Sequence, residues 1–333
     1  MPSSVDGGFE NNALASLSNR RLQLIILPTE QCNFRCRYCY EDFSHGKMQP
    51  KTIQSIKKLI SNRVDSLEEL HISWFGGEPL LAKDIVSEIS GHASNLCKKK
   101  GVKYVSDMTT NGYFLDNKTA QALKHVGVGA YQISLDGVKD DHNSTRVLMS
   151  GKGSYEKIWK NLIDLSNSGL DINIILRIHA TQNNMANMPA FIEKLERELL
   201  NNKMFTAYIK PISFLGKSVD GIDLIPNNDT VDKLNAYIRE KGYAKDFPKQ
   251  YICYACRPDS FVIRVNGKIQ KCTVMLANNK NTVGEIQENG SLKIDKMLLI
   301  PWIKGIIKTD PKKTRCPAQY IDRPSPDQPS THT

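Results

Sequence analysis

The stretch "RLQLIILPTEQCNFRCRYC" runs from Arg21 to Cys39, and its reading decides the rest. Arg21–Pro28 is an apolar run ended by proline, the pattern of a buried strand. Cys32, Cys36 and Cys39 then follow at C-x3-C-x2-C spacing, in the loop at that strand's C-terminal end. Three thiols are an incomplete set for most purposes. A disulfide takes two, and a closed structural zinc site takes four ligands. On a four-iron cubane, three thiolates leave one iron open to a small molecule. A zinc ion completed by a remote ligand such as His45 is the alternative, and the triplet alone does not decide between them.

Similar apolar runs recur outward from this one, at Leu70–Phe75, Val102–Thr110, Ala130–Asp136, Ile172–Ala180 and Phe205–Ile212. Helical faces lie between them: Ile53, Ile56, Leu59 and Ile60; Ile158, Leu162 and Leu165, stopped by Gly169; and Phe191, Leu195 and Leu199. Six strand–helix units predict an α/β fold with parallel strands and crossover helices. Six are too few for the closed eight-fold barrel. They suit a partial (β/α)6 TIM-like barrel, with ligands at the C-terminal strand ends. Beyond Ile212 the spacing predicts a loop over 214–228 and a helix over 229–242. From Tyr251 the chain carries Cys253, Cys256, Cys272 and Cys316, and "FVIRVNGKIQKC" predicts a hairpin turning at Asn266-Gly267. The expected organisation is a flexible 1–20, a barrel over 21–215, a linker with a helix over 216–250, a small cysteine-rich domain over 251–320 and a disordered tail over 321–333.

Composition narrows the class. The 333 residues are 40% apolar and 24% charged, with a formal net charge of +10, as in a soluble globular protein. No apolar run reaches membrane-spanning length. The opening "MPSSVDGGFENN" lacks the apolar core of a signal peptide, so the expected compartment is the cytoplasm, where thiols stay reduced. Basic residues are scattered, as at Lys98–Lys100 and Lys312-Lys313, which fits solvated faces or attraction to an acidic peptide. No aromatic–basic platform suggests nucleic acid. Cys97 reads as a helix residue with no chemical role.

The strand ends carry a set of short motifs: "WFGGEP" (Trp74–Pro79), "TTNG" (Thr109–Gly112), "ISLDG" (Ile133–Gly137), "HNSTR" (His142–Arg146) and "GKGSY" (Gly151–Tyr155). Together with the triplet, in this order, they resemble the radical S-adenosylmethionine (SAM) enzymes over residues 22–215. The cysteine-rich C-terminal segment resembles the SPASM or shortened twitch extension of the peptide-modifying and sulfatase-maturing branch.

The resemblance implies that Cys32, Cys36 and Cys39 hold a [4Fe–4S] cluster whose fourth iron binds SAM, and that SAM is cleaved reductively to a 5′-deoxyadenosyl radical. It places Tyr38 near the adenine, Gly76, Gly77 and Glu78 at the SAM amino group, Ser134 at the ribose or carboxylate, and either Arg146 or Arg177 at the carboxylate. Cys253, Cys256, Cys272 and Cys316 would hold one auxiliary [4Fe–4S] cluster, where the full SPASM pattern has about seven cysteines and two clusters. Zinc on the same four thiolates is the alternative. The implied substrate is a ribosomally made precursor peptide, crosslinked, epimerised or oxidised, with flavodoxin or ferredoxin as electron donor. No residue is assigned as catalytic acid, base or hydrogen donor. Sulfatase-type oxidation to formylglycine, radical chemistry on a small molecule and a metal-binding scaffold without catalysis remain open. No membrane or nucleic-acid partner is expected.

Overall fold

The computed structural model describes Phe9 and residues 13–41, 43–212, 228–244 and 251–321. Most of the polar leader, the loop expected at 214–228 and the C-terminal tail lie outside the described residues.

Six strands lie side by side in chain order, all parallel: β1 (Arg21–Ile26), β2 (Glu69–Trp74), β3 (Lys103–Thr110), β4 (Ala130–Leu135), β5 (Asn173–Ala180) and β6 (Phe205–Pro211). The crossovers contain α1 (Pro50–Arg63), α2 (Lys83–Lys100), α3 (Asn117–His125), α4 (Lys139–Thr145), α5 (Tyr155–Ser166) and α6 (Met188–Leu195). Local chemistry sets their ends. Pro50 opens α1 where no amide partner is lost. Asp116 caps α3 by accepting from the Thr119 amide at 2.8 Å. Lys98–Lys100 fill the last turn of α2, at the negative end of its dipole, and Gly101 (φ +69°) ends it. Cys97 on α2 is packed in the apolar core.

Side chains alternate across each strand. Leu70, Ile72 and Trp74, Tyr131, Ile133 and Leu135, and Ile174, Leu176 and Ile178 are buried in the main core. The intervening residues make the opposite face polar: His71 and Ser73, Asp107, Gln132 and Ser134, Arg177, Tyr208. These groups bond across strands, with His71 Nε2 2.5 Å from Asp107 Oδ2 and Tyr208 donating to Gln132 at 2.9 Å.

The C-terminal part joins the same sheet. After α7 (Asn228–Glu240), β7 (Ser260–Ile263) pairs in parallel with β1. β8 (Lys268–Gln270), β9 (Thr282–Ile286) and β10 (Leu292–Ile294) continue it antiparallel, giving ten strands in the order β10-β9-β8-β7-β1-β2-β3-β4-β5-β6. The cysteine-rich segment expected as a separate small unit therefore extends the barrel sheet and covers the β1 edge, which would otherwise present unpaired backbone groups. All four residues of β7 are buried, so both faces of this strand are covered. α8 (Lys296–Ile307), α9 (Pro311–Arg315) and α10 (Ala318–Ile321) complete the segment. Among the described residues no helix is long and apolar enough to cross a membrane.

Candidate functional site

The cysteine triplet sits in a loop after β1 that three other segments hold in place. On one side lies the Gly76-Gly77-Glu78 turn after β2. A Cβ on Gly77 would stand 2.5 Å from the Gln31 carbonyl oxygen, and one on Gly76 (φ +112°) 2.3 Å from that of Thr29. The glycines are therefore required by the approach of two backbones, and the Glu78 amide donates to Gln31 O at 2.9 Å. On a second side, Asn111 of the TTNG turn donates to Asn33 Oδ1 at 2.8 Å and lies 3.9 Å from Cys32 Sγ. On a third, the chain after α4 runs beside the loop. Arg35 and Arg37 amides donate to Val147 and Thr145 carbonyls at 2.9 and 3.0 Å, and Phe34 bridges to Leu148.

Glu78 is fully buried. Its oxygens accept from the Thr110 hydroxyl at 2.7 Å and the Asn111 and Leu80 amides at 2.7 and 3.0 Å. Burial raises its carboxyl, with those donors opposing. The carboxylate proposed from sequence for an ammonium group is thus turned inward, where it locks the β2 turn to the β3 turn. A buried carboxylate takes the strongest nearby donors, and here three belong to the protein.

Tyr38 and Arg146 meet at a polar hub assembled from four segments. Arg146 donates to the Tyr38 hydroxyl at 2.7 Å, and that hydroxyl donates to Asp136 Oδ1 at 2.9 Å and lies 3.0 Å from His179 Nδ1. Asp136 also accepts from Thr145 at 2.5 Å. Burial works against its charge, but the His179 hydrogen bond and the Arg146 guanidinium outweigh it and hold the carboxyl below its ordinary value. His142, fully buried, lies 3.0 Å from the Ser154 hydroxyl, and burial pulls its imidazole down to about 3. The two arginines left open by the sequence are now distinct. Arg146 is committed to Tyr38 and stands 5.8 Å over the Phe34 ring. Arg177 on β5 is in register with Ser134 on β4, and among the described residues the Nε atoms of both Arg146 and Arg177 lack a hydrogen-bond partner.

Burial pushes the Cys32 thiol up to about 12, the Phe34 amide opposing it and Glu78, Cys36 and Cys39 adding to it. Cys36 is pushed to about 11 by burial, against Arg146. Burial raises Cys253 to about 12, with Cys256, Cys272 and Cys316 all near enough to add to it. Cys256 is held by the Cys253 and Thr314 carbonyls at 3.1 and 3.3 Å. Cys272 follows the hairpin, which turns at Gly267 (φ +80°), and its amide is fixed by the buried Asn281 at 2.9 Å. The structure thus gathers the cysteines into two sets, three and four. Tyr254, between Cys253 and Cys256, packs with Ile25, Leu27 and Phe75 beside the triplet strand, so the second set borders the barrel.

Residues 26–192 match the radical SAM superfamily. The chain belongs to that superfamily. It is an enzyme, and membership implies a [4Fe–4S] cluster and SAM. The Fe-coproporphyrin III synthase of Methanosarcina barkeri is 27% identical over 170 residues, 51% of this chain but only 40% of that protein. A solved structure of anSMEcpe with bound AdoMet and the Kp18Cys peptide superposes with a TM-score of 0.64 at 18% identity, covering 85% of this chain and 84% of that one. SuiB of Streptococcus suis bound to its precursor peptide SuiA gives 0.58 at 16% identity, over 92% and 73%. These two likenesses establish the radical SAM barrel fold.

The donor set fits the implied cluster. Soft thiolates are the ligands iron–sulfur clusters use, and metal binding would draw off the protons that burial keeps on Cys32, Cys36, Cys253, Cys256 and Cys272. Among the described residues, no three Cys, His, Asp or Glu side chains gather as the ligands of one metal ion do. Sequence reasoning missed Asp136, His142 and His179. The "SLDG" and "HNSTR" motifs contained the first two, but their meeting with His179, 43 residues beyond Asp136, is a product of the fold.

Proposed function

We propose that this chain is a peptide-modifying radical SAM enzyme with two iron–sulfur clusters. Cys32, Cys36 and Cys39 hold the first cluster, and Cys253, Cys256, Cys272 and Cys316 hold an auxiliary [4Fe–4S] cluster. Bound together, the reduced first cluster and SAM supply a 5′-deoxyadenosyl radical that takes a hydrogen atom from the substrate. The protein's residues bind, orient and shield. Ser134 and Arg177, side by side in register, receive the SAM carboxylate. The Gly76-Gly77 backbone meets the SAM amino group, while Glu78 sets that backbone's position. Tyr38 presents its ring from a hub that fixes its hydroxyl.

The observation that carries this reading is the pair of cysteine sets on either side of the β1–β7 junction, joined through Tyr254 and its apolar contacts. Two of the folds it resembles were solved with peptides bound, anSMEcpe with Kp18Cys and SuiB with SuiA, which supports a peptide substrate. Compartment and reductant follow as proposals: cytoplasm, and a flavodoxin or ferredoxin.

The test is anaerobic incubation of the reconstituted, reduced chain with SAM and synthetic precursor peptides encoded beside its gene. The reading expects 5′-deoxyadenosine and a mass change in one peptide. Formylglycine on a Cys or Ser peptide would place it with sulfatase maturation. Turnover of a porphyrin with every peptide inert would contradict the peptide reading.

A further inference from the structure

Lys271 is fully buried, which few lysines are. Its ammonium donates to the Arg257 carbonyl at 2.7 Å and to the Ser260 carbonyl, and it stands 4.9 Å over the Phe261 ring. None of these partners carries a negative charge. The carboxylate close by, Asp259, is already taken by a forked pair from Arg257, at 3.1 Å from Nε and 2.6 Å from NH2. A buried cation with no anion of its own is costly. The Arg257 carbonyl that Lys271 bonds belongs to the residue after Cys256, which holds the ammonium beside the auxiliary cysteines. Lys271 immediately precedes Cys272, and its field reaches Cys256 and Cys253.

We infer that Lys271 is the built-in countercharge of the auxiliary cluster and sets its reduction potential. The inference rests on the two-cluster reading above. Four thiolates give a [4Fe–4S] centre a net negative charge, and reduction adds one electron without making or breaking a bond to the protein. A cation in a water-poor site stabilises the more negative, reduced form. Net charge, hydrogen bonds to sulfur and exposure are the levers that set such potentials, and Lys271 works through the first. It is a positioning residue for charge, touching neither substrate nor SAM.

The experiment uses the full chain carrying Cys32, Cys36 and Cys39→Ala, so that only the C-terminal cluster contributes. Iron is counted and the cluster is titrated potentiometrically with detection by electron paramagnetic resonance. In this background Lys271→Gln keeps a donor for the carbonyls but removes the charge, and Lys271→Arg keeps the charge. The expected result is about four irons in each. The Gln variant should then show at least a tenfold lower reduced-to-oxidised ratio at fixed potential, about 59 mV for one electron, with the Arg variant near the parent. Four irons and an unchanged midpoint in Lys271→Gln would overturn the inference while leaving the cluster in place. Zinc without iron in the parent would overturn the two-cluster reading and this inference with it.

Discussion

Glu30 and Arg264 are 234 residues apart in sequence and form one buried pair. Arg264 Nε donates to Glu30 Oε1 at 2.9 Å, its NH2 group bonds the other oxygen, and its NH1 donates to the Leu276 carbonyl at 3.0 Å. The side chains are 10% and 2% exposed, so solvent does little to screen them. Glu30 lies two residues before Cys32, and Arg264 lies in the hairpin leading to Cys272. The pair therefore ties the two cysteine-bearing segments together. Glu30→Gln keeps the shape and removes the charge, leaving a buried guanidinium uncompensated. Breaking a buried pair from one side costs about 3–5 kcal/mol, where an exposed pair is worth about 0–1. Arg264→Met should cost a similar amount by stranding Glu30. The double variant should cost less than the sum, because neither charge then remains buried alone. Urea denaturation of the metal-free, reduced chains, followed by circular dichroism, reads all three. A loss under about 1 kcal/mol for Glu30→Gln, or additivity in the double variant, would refute the clamp.

The two arginines should separate by assay. Arg177→Ala should weaken SAM binding by about tenfold or more, the loss of a charge-assisted contact, with little change in stability. Arg146→Ala should lower stability, since it strips Tyr38 and Asp136 of a buried cation. Equilibrium binding and denaturation midpoints check both. Stability should also fall on mild acidification. The folded His142 titrates near about 3 while the unfolded residue takes its proton near its ordinary value, so the unfolded state binds more protons across that window. That costs about 2 kcal/mol between about pH 7.5 and about pH 5. Burial holds His179 down as well and adds in the same direction. Urea midpoints that stay level over this range would contradict the buried, neutral His142.

The strands were legible because alternation and apolar runs are local signals. β1 to β6 fall within a residue or two of the runs read from sequence. The triplet and the strand-end motifs were legible because their spacing is short. The α2 helix was not among the faces read, since its apolar residues Ile85, Val86 and Ile89 are diluted by serines and end in three lysines. Sequence shows a carboxylate beside two glycines and cannot show that Thr110, Asn111 and Leu80 supply donors to Glu78. That Arg146 joins the Tyr38 hub while Arg177 lies in register with Ser134 needed the pairing of β4 with β5 and the fold around Tyr38. The parallel pairing of β7 with β1, which makes one sheet of barrel and extension, joins Gln23 to Ser260 and has no short-range signature.

The central claim is that two cysteine sets hold two iron–sulfur clusters, and metal content tests it most directly. Chains reconstituted anaerobically with iron and sulfide should carry about eight irons. Replacing Cys32, Cys36 and Cys39 by Ala should leave about four and abolish 5′-deoxyadenosine formation from SAM, while replacing Cys253, Cys256, Cys272 and Cys316 should leave about four with that cleavage retained. About four irons with one zinc in the unaltered chain, or undiminished SAM cleavage in the first triple variant, would contradict the account.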